Sequence, residues 1–334
     1  MRVAARTCCY CCGWIETLPL WACRRDSLTI AQEAVQQWAA QPALAFGVHL
    51  GDLCDGKAQV TDLGTDGSYS LVQSALDKAR LPFHYLIGNH DLYNYGHKAR
   101  AAQALRPRGG AAVPEDEGDR PPGAAFYSFR PAPGGRVLLL DSYCFSALSG
   151  DATAADAEAF IRARNPNTDN LNSPKGLSGL DSRFVKLGGA LGSAQLRWME
   201  QQLAAARAAG ESVVVLSHIP LNPAQLSPEC GGLCLAWDYE AALAVIRPYN
   251  DTVLAVLSGH DHYGGAAQDE GIHFVTLPGV IETPRGGVSF GTVRVLRDRI
   301  EIRGAGRLRS RLLPFHRQQA ATAAAPTAAS AVGG

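Results

Sequence analysis

Short apolar runs without alternation recur along the chain: LAFGVHL (44–50), FHYLI (83–87), VLLL (137–140), VVVL (213–216), VLAVL (253–257) and FVTL (274–277). Runs of this length, rich in β-branched and aliphatic residues, predict strands buried on both faces of a parallel sheet. Between them the apolar positions fall at helical spacing. SLTIAQEAVQQWAA sets Leu28, Ala31, Val35 and Trp38 on one stripe, and LVQSALDKA does so with Leu71, Val72, Ala75, Leu76 and Ala79. AQLRWMEQQLAAA repeats the pattern with Leu196, Met199 and Leu203, and Ser193 is its expected N-cap. Strand–helix alternation predicts an α/β fold with a largely parallel sheet and helices on its faces. Near the end, SFGTVRVL and RIEIRG, split by Arg297-Asp298, predict an antiparallel hairpin.

Three segments interrupt this rhythm. Residues 106–124 are rich in Pro, Gly and charge and predict a surface excursion. Residues 150–192 carry NPNTDNLNSPKGL and LGGALG, a stretch too long for a connector and expected to be functional or disordered. AATAAAPTAASAVGG predicts a disordered tail. The expected organisation is an atypical, poorly ordered N-terminus over 1–23, one folded domain over 24–312 and an Ala-rich tail over 313–334.

Charge and cysteine usage narrow the partners. Lys+Arg and Asp+Glu each number 31 in 334 residues, so no basic excess points to nucleic acid. No run reaches the ~18 apolar residues that span a bilayer. Four of the nine cysteines lie in CCYCC (Cys8, Cys9, Cys11, Cys12), without the second spaced pair of a zinc site. Cys23, Cys54, Cys144, Cys230 and Cys234 are scattered without a disulfide-framework spacing, and no signal peptide is legible. These features predict a reduced, cytoplasmic protein and leave its oligomeric state open.

The chemistry lies just past the end of each strand. The apolar runs end in Gly51-Asp52, in Gly88-Asn89-His90-Asp91, in Ser217-His218 and in Gly259-His260-Asp261-His262. Ligands of open α/β sheets bind at the carboxyl ends of the strands. Asp52, Asn89, His218, His260 and His262 therefore bring a carboxylate, an amide oxygen and three imidazoles to one edge. That donor count exceeds one catalytic metal with open positions and suits two. Nitrogen and oxygen ligands without thiolate point to Mn²⁺, with Zn²⁺ or Fe as alternatives. Two ions roughly 3.5–4 Å apart clamp the attacking and leaving oxygens of an in-line displacement at phosphorus. The spacing of His260 and His262 is read as directing the two rings to different metals.

Other candidates carry plainer readings. His49 and His84 lie inside strand runs and are expected to be structural; His97 and His273 stay open. Asp55 either orients a neighbour or caps a helix. Trp237 or Tyr93 either stacks on a base or packs the core.

The order GDLCD, GNHD, SHIP, GHDH resembles the calcineurin-like metallophosphoesterases. GNHDLYNY, NPNTDNLNSPKGLS, CLAWDYEAALAVI, SGHDHYGG and GVIETPRGGVSFGTV are similar to the manganese-dependent ADP-ribose/CDP-alcohol diphosphatase branch. The resemblance spans about residues 24–310. It implies a two-sheet sandwich flanked by helices with a dimetal centre. Asp52 would bridge the metals; Asn89, His218 and His260 would complete one site; His262 would serve the other. His90 would sit by the phosphate, stabilising charge or protonating the leaving oxygen, and Asp91 would orient its imidazole. The implied substrates are small-molecule nucleotide conjugates such as ADP-ribose or CDP-choline, cut at the pyrophosphate to a nucleoside monophosphate and a phosphorylated remainder.

One departure bears on activity. The family's first strand carries Asp-x-His, or Asp-x-Gln in this branch, whereas MRVAARTCCYCCGWIETLPLWAC has neither. A displaced start or a lost motif would each account for this. The expectation is a sheet lacking an interior strand, a metal site short of two ligands, and weak or absent turnover. The alternative function is a catalytically degraded nucleotide-binding or interaction module on the same fold.

Overall fold

The computed structural model describes residues 2–6, 21–41, 44–111 and 124–315. In chain order these form β1 (Arg2–Arg6), α1 (Trp21–Ala39), β2 (Phe46–His49), α2 (Gly64–Asp77), β3 (Phe83–Tyr85), α3 (Asn89–Tyr95) and α4 (Lys98–Ala104). Next come β4 (Tyr127–Ala132), β5 (Gly135–Leu139), α5 (Ala154–Arg162), α6 (Gly192–Ala208), β6 (Ser212–Ser217) and α7 (Tyr239–Ile246). The chain closes with β7 (Val253–Ser258), β8 (Gly265–Asp269), β9 (Ile272–Thr276), β10 (Ser289–Val295), β11 (Arg299–Gly306) and β12 (Arg311–Pro314).

The strands build two six-stranded sheets, ordered β12-β11-β10-β1-β2-β3 and β4-β5-β6-β7-β9-β8. β1, β2 and β3 are parallel, while β10, β11 and β12 add antiparallel ribbons. In the second sheet β5, β6, β7 and β9 are parallel, and antiparallel β4 and β8 close its edges. All six apolar runs are strands, and the terminal hairpin pairs Val295 with Ile300 across its turn. The two sheets are those of the sandwich that the resemblance implies, in place of the largely parallel sheet that periodicity alone predicts. The strands that escaped the pattern, YSFRPA, GAAQD and RLLP, lie at sheet edges, where one side is wet and no apolar run is needed.

The expected gap in the first sheet is absent. β1 fills the interior position, parallel to β2 (Arg6 opposite His49) and antiparallel to β10 (Arg2 opposite Arg294). Its residues, RVAAR, include no aspartate or histidine. Residues 7–20, with CCYCC, the excursion over 112–123 and the tail from 316 lie outside the described residues.

A core layer lies between the sheets. Phe46, Val48 and Leu50 meet Phe129, Leu139 and Leu216, each buried, at ~1.5–3 kcal/mol per large side chain. His84 belongs to this layer: its ring stacks on Phe129 at 3.9 Å, and its Nδ1 lies 2.9 Å from the Tyr127 hydroxyl. Burial lowers its pKa to about 4, so it sits there neutral and structural. Outside the sandwich, Trp38 of α1 packs on Phe83 and Phe290, while Trp198 and Met199 of α6 anchor the second sheet's cover. Ser193 does not cap α6. The Asp238 carboxylate accepts the amides of Leu191 and Gly192 at 3.1 and 2.9 Å, an anion at the positive helix end.

The long 150–192 segment is ordered. Ile161, Phe160, Phe184 and Trp237 form a small core of its own. Trp237 stacks on Phe160 with ring centres 5.7 Å apart and is 3 % exposed, which makes it packing and removes it from base stacking. The expectation of wholly reduced cysteines is also overturned: Cys230 and Cys234 form a disulfide across a single turn. Among the described residues no helix is long and apolar enough to cross a membrane.

Candidate metal centre

The segments that follow β2, β3, β6 and β7 converge on one site. After β2 the chain turns at Gly51, φ 100°, and a side chain there would collide with the His218 ring. Asp52 comes next at φ 57°, and beyond β7 His260 sits at φ 64°. Left-handed conformations in non-glycine residues cost on the order of 1 kcal/mol or more and cluster at functional sites. Here they aim Asp52 and His260 at a common point. The ligand atoms of Asp52, His218 and His260 lie within 4.8 Å of one another, all buried. The Asn89 amide oxygen is 3.4 Å from His218 Nε2 and within reach of the Tyr143 hydroxyl at 3.4 Å.

Electrostatics keep these rings neutral. Burial drives the His218 pKa down to about 3 and pulls His260 well below its ordinary value. His218 Nδ1 lies 2.7 Å from the Leu50 carbonyl, which assigns its proton there and its lone pair to Nε2. Nε2 in turn points at Asp52 Oδ2 (3.4 Å) and His260 Nδ1 (3.2 Å).

His262 stands outside this cluster. Residues two apart on a regular strand share a side, so spacing alone would aim both rings of His-x-His the same way. The segment past Ser258 is not extended: the left-handed turn at His260 separates the rings. His262 Nδ1 lies 3.2 Å from Glu282 Oε1, and this bond holds the Glu282 carboxyl below its ordinary pKa. Between them, buried Asp261 accepts the Ser227 amide and hydroxyl at 2.7 and 2.8 Å, anchoring the loop to its neighbour.

His90 and Asp91 divide differently from expectation. The Gly56 amide donates to His90 Nδ1 at 2.7 Å, and that bond, not Asp91, orients the imidazole and leaves its proton on Nε2. Asp91 faces the other way. Its carboxylate accepts the amides of Asp52 (2.8 Å), Leu53 (3.1 Å) and Gly88 (2.8 Å), and the Tyr69 hydroxyl (2.6 Å). It ties the turn after β2 to the turn after β3. Burial raises its pKa to about 6 against these four bonds, which lower it. The remaining candidates take their plainer roles. Asp55 Oδ1 accepts the Lys57 amide ahead of a short helical turn, His97 caps α4, and His273 binds the Pro314 carbonyl. Tyr93 is half-buried beside the His90 ring, 5.3 Å away.

The profile of the calcineurin-like phosphoesterases matches residues 23–264. The chain belongs to that family. Among curated proteins it is 35 % identical to the manganese-dependent ADP-ribose/CDP-alcohol diphosphatase of Oryza sativa subsp. japonica, over 85 % of this chain and 84 % of that protein. It is 33 % identical to the enzyme of the same name from Mus musculus, over 89 % and 86 %. Among solved structures, a dimetal phosphatase from Danio rerio superposes with a TM-score of 0.79 at 29 % identity, covering 94 % of this chain and 99 % of that one.

For this phosphoesterase the donor set fits hard-to-borderline divalent ions: a carboxylate and neutral imidazoles, desolvated and facing one another, with no thiolate in the cluster. Two residues at the site drew no role from the sequence. Glu282 sits in the GVIETP stretch, conspicuous but without an assigned task. Tyr69 lies mid-helix, where only its reach to Asp91 across the fold reveals it.

Proposed function

We propose that this phosphoesterase hydrolyses the pyrophosphate bond of nucleoside diphosphate conjugates, with ADP-ribose and CDP-alcohols as the substrate class. In this reading one catalytic domain spans residues 24–312. Asp52, Asn89, His218 and His260 would hold one Mn²⁺, and His262 would serve a second. The supporting observation is the buried meeting of Asp52, His218 and His260, joined to 35 % identity with a diphosphatase of that name. When bound, the two ions supply a nucleophile from water at neutral pH and neutralise charge on the phosphate. The chain's own residues do the rest. His90, with its proton set on Nε2 by the Gly56 bond, donates a hydrogen bond to the phosphate and stabilises the charge that develops there. Asp91 keeps the Asp52 and Asn89 turns in register.

Release of AMP from ADP-ribose and of CMP from CDP-choline, measured against Mn²⁺ concentration, tests the proposal. Metal-dependent turnover is expected, below that of relatives whose first strand bears Asp-x-His or Asp-x-Gln. Absence of hydrolysis of both conjugates at saturating Mn²⁺ would refute it.

A further inference from the structure

We propose that Glu282 is the positioning residue of His262, holding its ring so that Nε2 presents a lone pair to the second metal. The inference rests on the dimetal reading above and adds a residue to it. Gly279, Arg307 and Glu282 build the socket. Gly279 runs against the imidazole: a Cβ there would lie 3.0 Å from His262 Cγ, so any larger residue would push the ring aside by a few tenths of an ångström. The Gly279 amide donates to the His262 carbonyl at 2.9 Å. Arg307 Nη1 donates to that carbonyl and to the Gly279 carbonyl, both at 3.1 Å, clamping the two segments together. One short turn later, Glu282 Oε1 meets His262 Nδ1 at 3.2 Å.

The geometry has a chemical consequence. A carboxylate accepting from Nδ1 fixes the proton on that nitrogen and makes Nε2 the basic one, which raises the ring's strength as a ligand. His262 is buried, its side chain 2 % exposed, while Glu282 is 43 % exposed and approaches from the solvent side. Correct presentation of His262 weighs more here than usual, because β1 brings neither aspartate nor histidine within residues 2–6.

Glu282→Ala and Glu282→Gln, made in the full chain, test the assignment by two readouts that do not depend on turnover. Nitrogen-15 imidazole spectra of the metal-free protein should show His262 as the Nδ1–H form, and a mixture of tautomers in Glu282→Ala. Glu282→Gln keeps an acceptor and should retain most of the Nδ1–H form. Mn²⁺ titration should then show the weaker of two binding steps reduced 10–100-fold in Glu282→Ala and less in Glu282→Gln, with the tighter step unchanged. Unaltered tautomers in Glu282→Ala, or equal weakening of both steps alongside a loss of thermal stability, would overturn the assignment. A parent chain that binds a single Mn²⁺ overturns the dimetal reading instead, and the spectra alone then decide whether Glu282 governs the ring.

Discussion

Asp91 is one carboxylate with four donors, whereas the imidazole of its neighbour His90 takes the Gly56 amide. Their substitutions should therefore separate cleanly. Asp91→Asn turns an amide group toward amides that need acceptors. A loss of about 2–3 kcal/mol in urea unfolding is expected, together with weaker Mn²⁺ binding, because unmet buried donors cost the full desolvation of each group. His90→Gln should leave stability and Mn²⁺ affinity near the parent values while kcat falls about 10²–10³-fold, read by steady-state hydrolysis of ADP-ribose. At this scale the sequence was most informative where polar residues sit directly after an apolar run, as with Asp52, Asn89, His218 and His260. It was silent on the hydrogen bonds that aim these groups. Asp91 reads as a partner of His90 by adjacency, yet a helix starting at Asn89 turns consecutive side chains apart. Tyr69 reaches it from 22 positions away, a distance no local pattern encodes.

Elements were legible in proportion to how dry they are. Strands covered on both faces announced themselves as apolar runs, and β4, β8 and β12, wet on one side, did not. β1 carries no such signal for another reason: its position is set by pairing with both β2 and β10, partners remote in sequence. His84 shows what burial within an element implies for pH. Its folded pKa of about 4 lies below the ordinary 6.5. Between those values the unfolded chain binds a proton that the folded one refuses, so stability falls as pH drops through that window, and the penalty levels off below about pH 4. At pH 5 the cost is about 2 kcal/mol. His84→Phe removes the titration and one partner of the Tyr127 hydroxyl. The variant should be less stable at pH 7 by about 1 kcal/mol and lose less between pH 7 and pH 5, as measured by urea unfolding at both values.

For the molecule as a whole, the site joins the two sheets: Asp52 and Asn89 come from the first, His218 and His260 from the second. Anything gripping all four fastens one sheet to the other. Mn²⁺ at 100 times its Kd should add about 2.7 kcal/mol to global stability, and a chelator should remove it, seen as a shift in the thermal transition. The sandwich itself was implied by resemblance alone, since periodicity predicted a single sheet and carried nothing about a second. The backbone at positions 52 and 260 has a final implication. Both residues hold a twist that glycine would adopt without strain. A screen that rewarded nothing but heat resistance would thus be drawn to put glycine at both positions, and under the proposed function its winners would be sturdier proteins emptied of chemistry.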